Sequence, residues 1–90
     1  MYKIVATTRF KKDLKLIIKR GYNIALMDAV ITALAEEQTL PQKNHDHILQ
    51  GNYDGCRECH ITPDWLLIYE ISEGELILYL TRTGMHSDLF

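Results

Sequence analysis

Apolar residues follow a helical spacing in the first half of the chain. Residues 2–6 alternate enough to form a short first strand. A helix is predicted next, beginning after an N-cap at Thr7 or Thr8 and continuing to residue 20. Its apolar stripe consists of Phe10, Leu14 and Ile17, widened by Leu16 and Ile18.

A second helix is predicted from residue 24 to about residue 37, capped by Asn23. Gly21 suits the end of the first helix because glycine tolerates left-handed backbone. The short link predicts an antiparallel helical hairpin. The buried face of the second helix consists of Met27, Val30, Ile31 and Leu34.

The second half of the chain has strand spacing. Residues 42–51 are polar and predict a loop, and the turn-rich residues 51–55 suggest a short edge strand. Three strands follow in a meander, separated by reversals at residues 62–64 and 72–75. The strand 65–71 is apolar on both faces and should therefore be central.

This order of elements predicts a single α+β domain over residues 1–90. Two amphipathic helices would pack as a hairpin on one face of a mostly antiparallel sheet, in the order β-α-α-β-β-β-β. Ninety residues suffice for one small core and not for two. Residues 85–90 form a short C-terminal tail in this interpretation.

The two reversals predict a cluster of reactive side chains. Pro63 fixes φ and Asp64 favours turns, so the first reversal has a physical basis. A second hairpin folded about residues 73 and 74 would place Trp65 opposite Arg82. His60, Asp64, Arg82 and His86 would then converge at one end of the sheet.

Charge is distributed unevenly along the chain, although the formal net charge is −2. Residues 1–20 hold seven basic side chains and one acidic side chain, Asp13, which predicts a weak attraction for nucleic acid. No apolar run is long enough to span a membrane, and residues 1–5 do not resemble a signal peptide. We therefore expect a cytoplasmic protein with no membrane partner.

The segment Cys56-Arg57-Glu58-Cys59-His60 matches the C-x-x-C-H pattern of c-type haem attachment. The segment falls on a predicted strand, where Cys56 and Cys59 point to opposite faces. A zinc site would need four ligands, and a thioredoxin-like dithiol would need a βαβ context. We interpret the cysteines as reduced thiols and expect neither a metal nor another cofactor.

Four motifs together resemble the YafQ branch of RelE-type toxins, which belong to type II toxin–antitoxin modules. They are dense between residues 51 and 90, whereas the helices match by pattern alone. The motifs are His47-Ile-Leu-Gln-Gly, Gly55-x-Arg57-x-x-His60, Pro63-Asp64-Trp65-x-Leu-Ile-Tyr69 and Arg82-Thr-Gly-x-His86-x-x-Leu-Phe90.

The resemblance implies a RelE-like fold and a ribosome-dependent mRNA endonuclease. It also implies a cognate antitoxin as partner, with operator DNA bound through that antitoxin. The family's functional positions fall on His47, His60, Asp64, Trp65, Arg82, His86 and Phe90.

Cleavage through the RNA 2′-hydroxyl needs a base, an acid and positive charge at the phosphate. We assign orientation and deprotonation to Asp64 or His60, the acid to His86 and phosphate contact to Arg82. His47, Trp65 and Phe90 would contact RNA. The acid and base labels are exchangeable at this point.

Each residue also has a structural interpretation. Asp64 could cap the turn, Arg82 could pair with Glu58 or Glu70, and His45 would be a solvated surface residue. Trp65 and Phe90 could belong to the core. Two other functions remain open: a ParE-like inhibitor of DNA gyrase, and an inactive relative that binds an antitoxin.

Overall fold

The computed structural model describes all of residues 1–90 and contains one five-stranded sheet. Its strands are β1 (Lys3–Ala6), β2 (His47–Ile48), β3 (Arg57–Thr62), β4 (Trp65–Ser72) and β5 (Ile77–Gly84). Their order across the sheet is β1-β5-β4-β3-β2, so β4 is central, as predicted. Strand β1 runs parallel to β5, and the other neighbours are antiparallel. The predicted α+β class is confirmed.

Three α-helices accompany the sheet: α1 (Thr8–Lys19), α2 (Ile24–Ala35) and α3 (His86–Leu89). The predicted N-caps are confirmed, because the side chains of Thr7 and Asn23 accept hydrogen bonds from the first turns of α1 and α2. Helix α2 ends before predicted residue 37, where Glu37 has a left-handed φ of 63°. None of the helices is both long and apolar enough to cross a membrane.

Apolar side chains bury both faces of β4, which explains its unbroken apolar run. On one face, Trp65, Leu67 and Tyr69 pack in the main core, to which α1 and α2 also contribute. On the other face, Leu66 and Ile68 form a smaller cluster with Cys56 and Leu89. The predicted separation of Cys56 and Cys59 is confirmed, because Cys59 lies in the main core.

The edge strand lies earlier in the chain than predicted. It is His47–Ile48, inside the predicted loop, and it pairs with Glu58 and Arg57 of β3. Residues 51–55 are not a strand, because Gly51–Tyr53 is a 3-10 helix that begins at a glycine with φ of 74°. A second 3-10 helix, Gln42–Asn44, also interrupts the predicted loop.

The predicted register between β4 and β5 is wrong. Arg82 faces Ile68 and not Trp65. The turn occupies four residues, 73–76, in which Leu76 has a φ of 58°. A bulge then shifts the pairing between Ile68 and Tyr69. Since a shift of one residue exchanges the two faces of a strand, this bulge decides where the Arg82 side chain lies.

The predicted C-terminal tail folds back onto the sheet as α3. The Asp88 carboxylate accepts a hydrogen bond of 3.0 Å from the backbone N–H of Met85, which fixes the first turn. Leu89 is buried against Leu66 and Ile68 of β4. This anchor places His86 and Phe90 above the sheet face opposite the main core.

Candidate functional site

The polar residues of the candidate site are arranged on the sheet face opposite the main core. Strand pairing fixes two adjacent rows there, because directly paired residues project from the same face. One row consists of His47, Glu58, Ile68 and Arg82, and the next consists of His60, Leu66 and Gly84. Helix α3 lies over the middle of this face, where Leu89 contacts Leu66 and Ile68.

His60 is held by its ring and by its backbone. Its Nδ1 lies 3.3 Å from the carbonyl oxygen of Pro63, within the reversal that joins β3 to β4. The buried Asn44 side chain donates a hydrogen bond of 2.6 Å to the His60 carbonyl. The pairing of β3 with β4 shifts between His60 and Thr62, so the strand is irregular beside the ring. The imidazole therefore has a restricted orientation next to the turn that contains Asp64.

Glu58 lies between two of the predicted site histidines. One carboxylate oxygen, Oε1, is 3.5 Å from Nε2 of His60 and 3.6 Å from Nε2 of His47. The residue is only 5% exposed. Each ring directs its Nδ1 at a backbone carbonyl, which can only accept a hydrogen bond. The carboxylate and the two backbone carbonyls together fix the orientation of both rings.

Sequence reasoning missed the role of Glu58, which it considered only as a partner for Arg82. The available signal was its spacing of two residues from His60, which places both side chains on one face of a strand. His45 was also missed. Its ring lies edge-on to that of His60, with centroids 5.4 Å apart. It is therefore a neighbour of the site and not an isolated surface residue.

His60, Asp64 and His86 line one open cavity of about 400 Å³, together with Pro63, Leu66, Met85 and Ser87. Asp64 and His86 are exposed. The Asp64 carboxylate has no hydrogen-bonding partner within the chain, so it does not cap the turn. Three of the four residues that were predicted to converge therefore share one cavity, and Arg82 does not.

Phe90 stacks on His86. The two rings have centroids 4.8 Å apart and an interplanar angle of 29°, and the edge of Phe90 meets Tyr53 at 5.4 Å. Phe90 is 55% exposed, which excludes the interpretation as a core anchor. Leu89 performs that anchoring instead. The exposed face of Phe90 is available to stack on an unpaired base.

Arg82 is committed to a salt bridge. Its Nε and Nη2 donate to the two carboxylate oxygens of Asp13 in α1, at 2.8 and 2.9 Å. The sequence suggested Glu58 or Glu70 as an ion-pair partner of Arg82, and neither of them is its partner. Hydrogen bonds to Asp13 and Tyr53 both raise the pKa of Arg82, so it is always charged. Through Nη1 it also donates to the Tyr53 hydroxyl, which donates in turn to the Leu89 carbonyl.

Trp65 is not a surface platform for stacking. Its side chain lies in the main core and is 2% exposed, and its Nε1–H donates to Thr83 at 2.8 Å. The structure therefore corrects its assignment as a residue that stacks on RNA at the surface. The alternative that placed Trp65 in the core is the one observed.

The two thiols are unsuited to redox or metal chemistry. Cys56 and Cys59 are both buried and unpaired, and they lie on opposite faces of the sheet. Burial raises the pKa of Cys59 to about 12 and also raises that of Cys56. Both thiols therefore remain protonated near neutral pH, whereas the reactive form of a cysteine is the thiolate.

Arg20 at the end of α1 ties down α3. Its Nη1 lies 2.8 Å from the Asp88 carboxylate. The hydrogen bond from Arg20 is the largest cause that lowers the pKa of Asp88, and the hydrogen bond from the Met85 N–H is the next largest. The contact thus joins the helical layer to the short helix that carries His86.

We expect acid to loosen α3. Because the pKa of Asp88 is lower in the folded chain, its contribution is full above the ordinary Asp pKa of about 3.9. This contribution to stability is lost as the pH falls through the lowered pKa of Asp88 in the folded chain. Amide hydrogen exchange at residues 86–90 should therefore become faster in that acidic range, relative to amide exchange in β4. In Arg20→Gln this rise should begin at higher pH, and an unchanged profile would contradict the account.

A model of the family described as "Bacterial toxin of type II toxin-antitoxin system, YafQ" matches residues 2–90. The mRNA interferase toxin YafQ of Escherichia coli (strain K12) is 37% identical over 83 residues, covering 91% of this chain and 88% of that protein.

Two solved structures are similar over the whole chain. A metal-bound toxin from Helicobacter pylori has a TM-score of 0.94 and 44% identity, with all of both chains covered. YafQ in the E. coli DinJ-YafQ complex has a TM-score of 0.90 and 35% identity, covering 100% of this chain and 99% of that one.

The metal in the H. pylori structure raises the question of whether this chain has a matching set of ligands. No group of three or more His, Cys, Asp or Glu side chains is arranged to hold a metal ion. The nearest candidates are His47 and His60, whose Nε2 atoms both face Glu58. The donor set in this conformation therefore does not fit a metal centre, and we derive no step through one.

Proposed function

Because the chain belongs to the YafQ family of toxins from bacterial type II toxin–antitoxin systems, we propose that it cuts ribosome-bound mRNA by metal-independent acid–base chemistry. The resemblance stated from the sequence motifs is thereby confirmed. The chain is an mRNA interferase, that is, an endoribonuclease toxin. The observation that carries the proposed chemistry is the cavity shared by His60, Asp64 and His86.

The proposed reaction uses the RNA itself as nucleophile. Asp64 or His60 removes the proton from the 2′-hydroxyl, whose oxygen then attacks the adjacent phosphorus. The bond from phosphorus to the 5′-oxygen breaks, and His86 donates a proton to that oxygen as it leaves. The products are a 2′,3′-cyclic phosphate and a 5′-hydroxyl. Histidine suits the acid role because its ordinary pKa of about 6.5 lies near the working pH.

Glu58 supports the proposed base. Its buried carboxylate lies within 3.6 Å of both His47 and His60, which restricts the orientation of the two rings. His47 is half exposed at the edge of the sheet, where it is available to contact the mRNA backbone. Phe90, stacked on His86, is placed to hold a base near the scissile bond.

The position of Arg82 changes its proposed role. Its guanidinium pairs with Asp13 in bidentate geometry and lies outside the cavity of the three site residues. We therefore assign it to holding the C-terminal segment through Tyr53, in place of the phosphate contact expected from the sequence. His86, as the proton donor, would bring positive charge to the scissile phosphate.

The basic surface of α1 supports delivery by the ribosome. This surface contains four exposed lysines, Lys11, Lys12, Lys15 and Lys19. Their positive charge attracts phosphate-rich surfaces, which the acidic remainder of the chain repels. A ribosome that presents the mRNA would compensate for weak affinity toward free RNA. This partner also places the proposed activity in the cytoplasm.

An antitoxin is the second proposed partner. The E. coli relative is found in a DinJ-YafQ toxin–antitoxin complex, and this chain matches its toxin over its whole length. We propose that a cognate antitoxin neutralises this chain in the same general way. Operator DNA would then be bound through the antitoxin.

Mapping cut sites on a defined mRNA tests the proposal. With translating ribosomes present, wild type should give discrete primer-extension stops within codons, and His60→Gln should remove them. The same mRNA without ribosomes should remain intact. Intact mRNA in both reactions would contradict the nuclease function and favour an inactive relative. Loss of DNA supercoiling after induction, without mRNA cleavage, would favour a ParE-like gyrase inhibitor.

A further inference from the structure

A second cavity, of about 270 Å³, lies beside the proposed cleavage site. It is formed where the link between α1 and α2 meets the β3–β4 reversal and the residue that precedes α3. Its lining residues are Tyr22, Asn23, Leu26, Thr62, Asp64, Trp65 and Met85.

The two cavities adjoin one another. Asp64 and Met85 line both of them. An RNA strand with its scissile phosphate beside His60 and His86 would therefore run close to the second cavity, within reach of the base of a neighbouring nucleotide.

The lining of the second cavity has the chemistry of a nucleobase site. Its floor is aromatic, because Tyr22 meets Trp65 edge-on with ring centroids 5.1 Å apart. Trp65 is 2% exposed, so the aromatic surface open to a base is that of the half-buried Tyr22 ring, which Trp65 supports from the core side. Leu26 and Met85 add apolar walls. Such surroundings favour a flat, largely apolar ring with a polar edge.

Polar groups stand at its rim. The Asp64 carboxylate has no partner within the chain and can accept hydrogen bonds. The Oδ1 atom of Asn23 is occupied as the cap of α2, which leaves its amide N–H groups free to donate. The Thr62 hydroxyl can do either. An acceptor and a donor are therefore available for the edge of a base.

We propose that this cavity binds the base of the nucleotide adjacent to the scissile phosphate and sets a base preference at that position. The inference rests on the proposed nuclease function. Asp64 and Asn23 read the edge of the base, and Leu26 closes one side. Specific recognition of RNA commonly combines an aromatic surface with hydrogen bonds to an unpaired base edge.

Filling the cavity tests the inference. Leu26 is 44% exposed, so Leu26→Trp should fold and fill the space. Leu16→Trp is the matched control, because Leu16 has 42% exposure on α1 and lines neither cavity. Cut sites mapped across a transcriptome should lose their base preference at one position in Leu26→Trp and keep it in Leu16→Trp. Cleavage with the wild-type preference in Leu26→Trp would overturn the base site and leave the nuclease intact.

Changing the donor at the rim gives a second test. Asn23→Asp keeps the oxygen that caps α2 and replaces the amide donor with an acceptor. Together with Asp64, two acceptors would then face the base. Preference at the same position should shift toward guanine, whose edge has adjacent N1–H and N2–H donors. Unchanged preference in this variant would count against the assignment.

Binding of a single nucleotide, without cleavage, separates this inference from catalysis. The four ribonucleoside 3′-monophosphates, at millimolar concentration, should shift the NMR signals of the Asn23 amide and the Tyr22 ring in a saturable manner. Leu26→Trp should abolish these shifts, and Leu16→Trp should retain them. Absence of saturable shifts would overturn the proposal. An unchanged cut-site preference in Leu26→Trp, combined with weakened antitoxin binding, would overturn it as well, because the cavity would then serve the antitoxin and not a base.

Discussion

Glutamine in place of His86 should slow mRNA cleavage by about 10²- to 10⁴-fold, the usual contribution of a general acid. Glutamine can occupy a similar volume and form hydrogen bonds, but it cannot transfer a proton to the leaving 5′-oxygen. The cavity with His60 and Asp64 should persist, because Leu89 and not His86 anchors α3. The measurement is the initial rate of primer-extension stops on translated mRNA.

Ser87→Ala is the matched control for this loss. Ser87 lines the same cavity, is exposed and belongs to the same short helix. Its variant should cleave at nearly the wild-type rate, and both variants should unfold at the same urea concentration as wild type. A rate for His86→Gln within threefold of wild type would exclude His86 as the general acid.

Alanine in place of Asp13 should lower the free energy of unfolding by about 3 kcal/mol. This lies at the lower end of the range for removing one partner of a buried ion pair. Asp13 and Arg82 each keep 14% of their side-chain surface exposed, and the change leaves the guanidinium without its paired carboxylate. It also removes the acceptor of the Thr83 backbone N–H. Urea denaturation measures the effect.

Two further variants test the cause of that loss. Asp28 is exposed on α2 and forms no salt bridge, so Asp28→Ala should change stability by no more than about 0.5 kcal/mol. The double variant Asp13→Ala with Arg82→Met should be more stable than Asp13→Ala alone, because no uncompensated charge remains. Equal stability of Asp13→Ala and Asp28→Ala would contradict the role given to the pair.

Local chemistry explains what the sequence predicts well. Thr7 and Asn23 cap the helices because their side-chain oxygens reach backbone N–H groups two or three residues away. The reversal at Pro63 and Asp64 likewise depends on adjacent residues, and it places Asp64 in the same cavity as His60. These features need no information from distant parts of the chain.

Long-range geometry explains what the sequence does not predict. The salt bridge between Arg82 and Asp13 joins residues 69 positions apart. It depends on a bulge in the pairing of β4 with β5, for which no glycine or proline gives a signal. The assignment of Trp65 to RNA contact came from the resemblance of the motifs, which carries no information about burial, and its ring lies in the main core. The position of Glu58 between two histidines similarly depends on the pairing of β2 with β3.

The chemical form of the cut ends tests the central claim most directly. Cleavage by the 2′-hydroxyl, with His60, Asp64 and His86 as the proton-transfer groups, predicts a 2′,3′-cyclic phosphate and a 5′-hydroxyl. A single 2′-deoxy substitution at the cut site should block formation of these ends. Ends carrying a 3′-hydroxyl and a 5′-phosphate, or cleavage of the 2′-deoxy substrate, would contradict it.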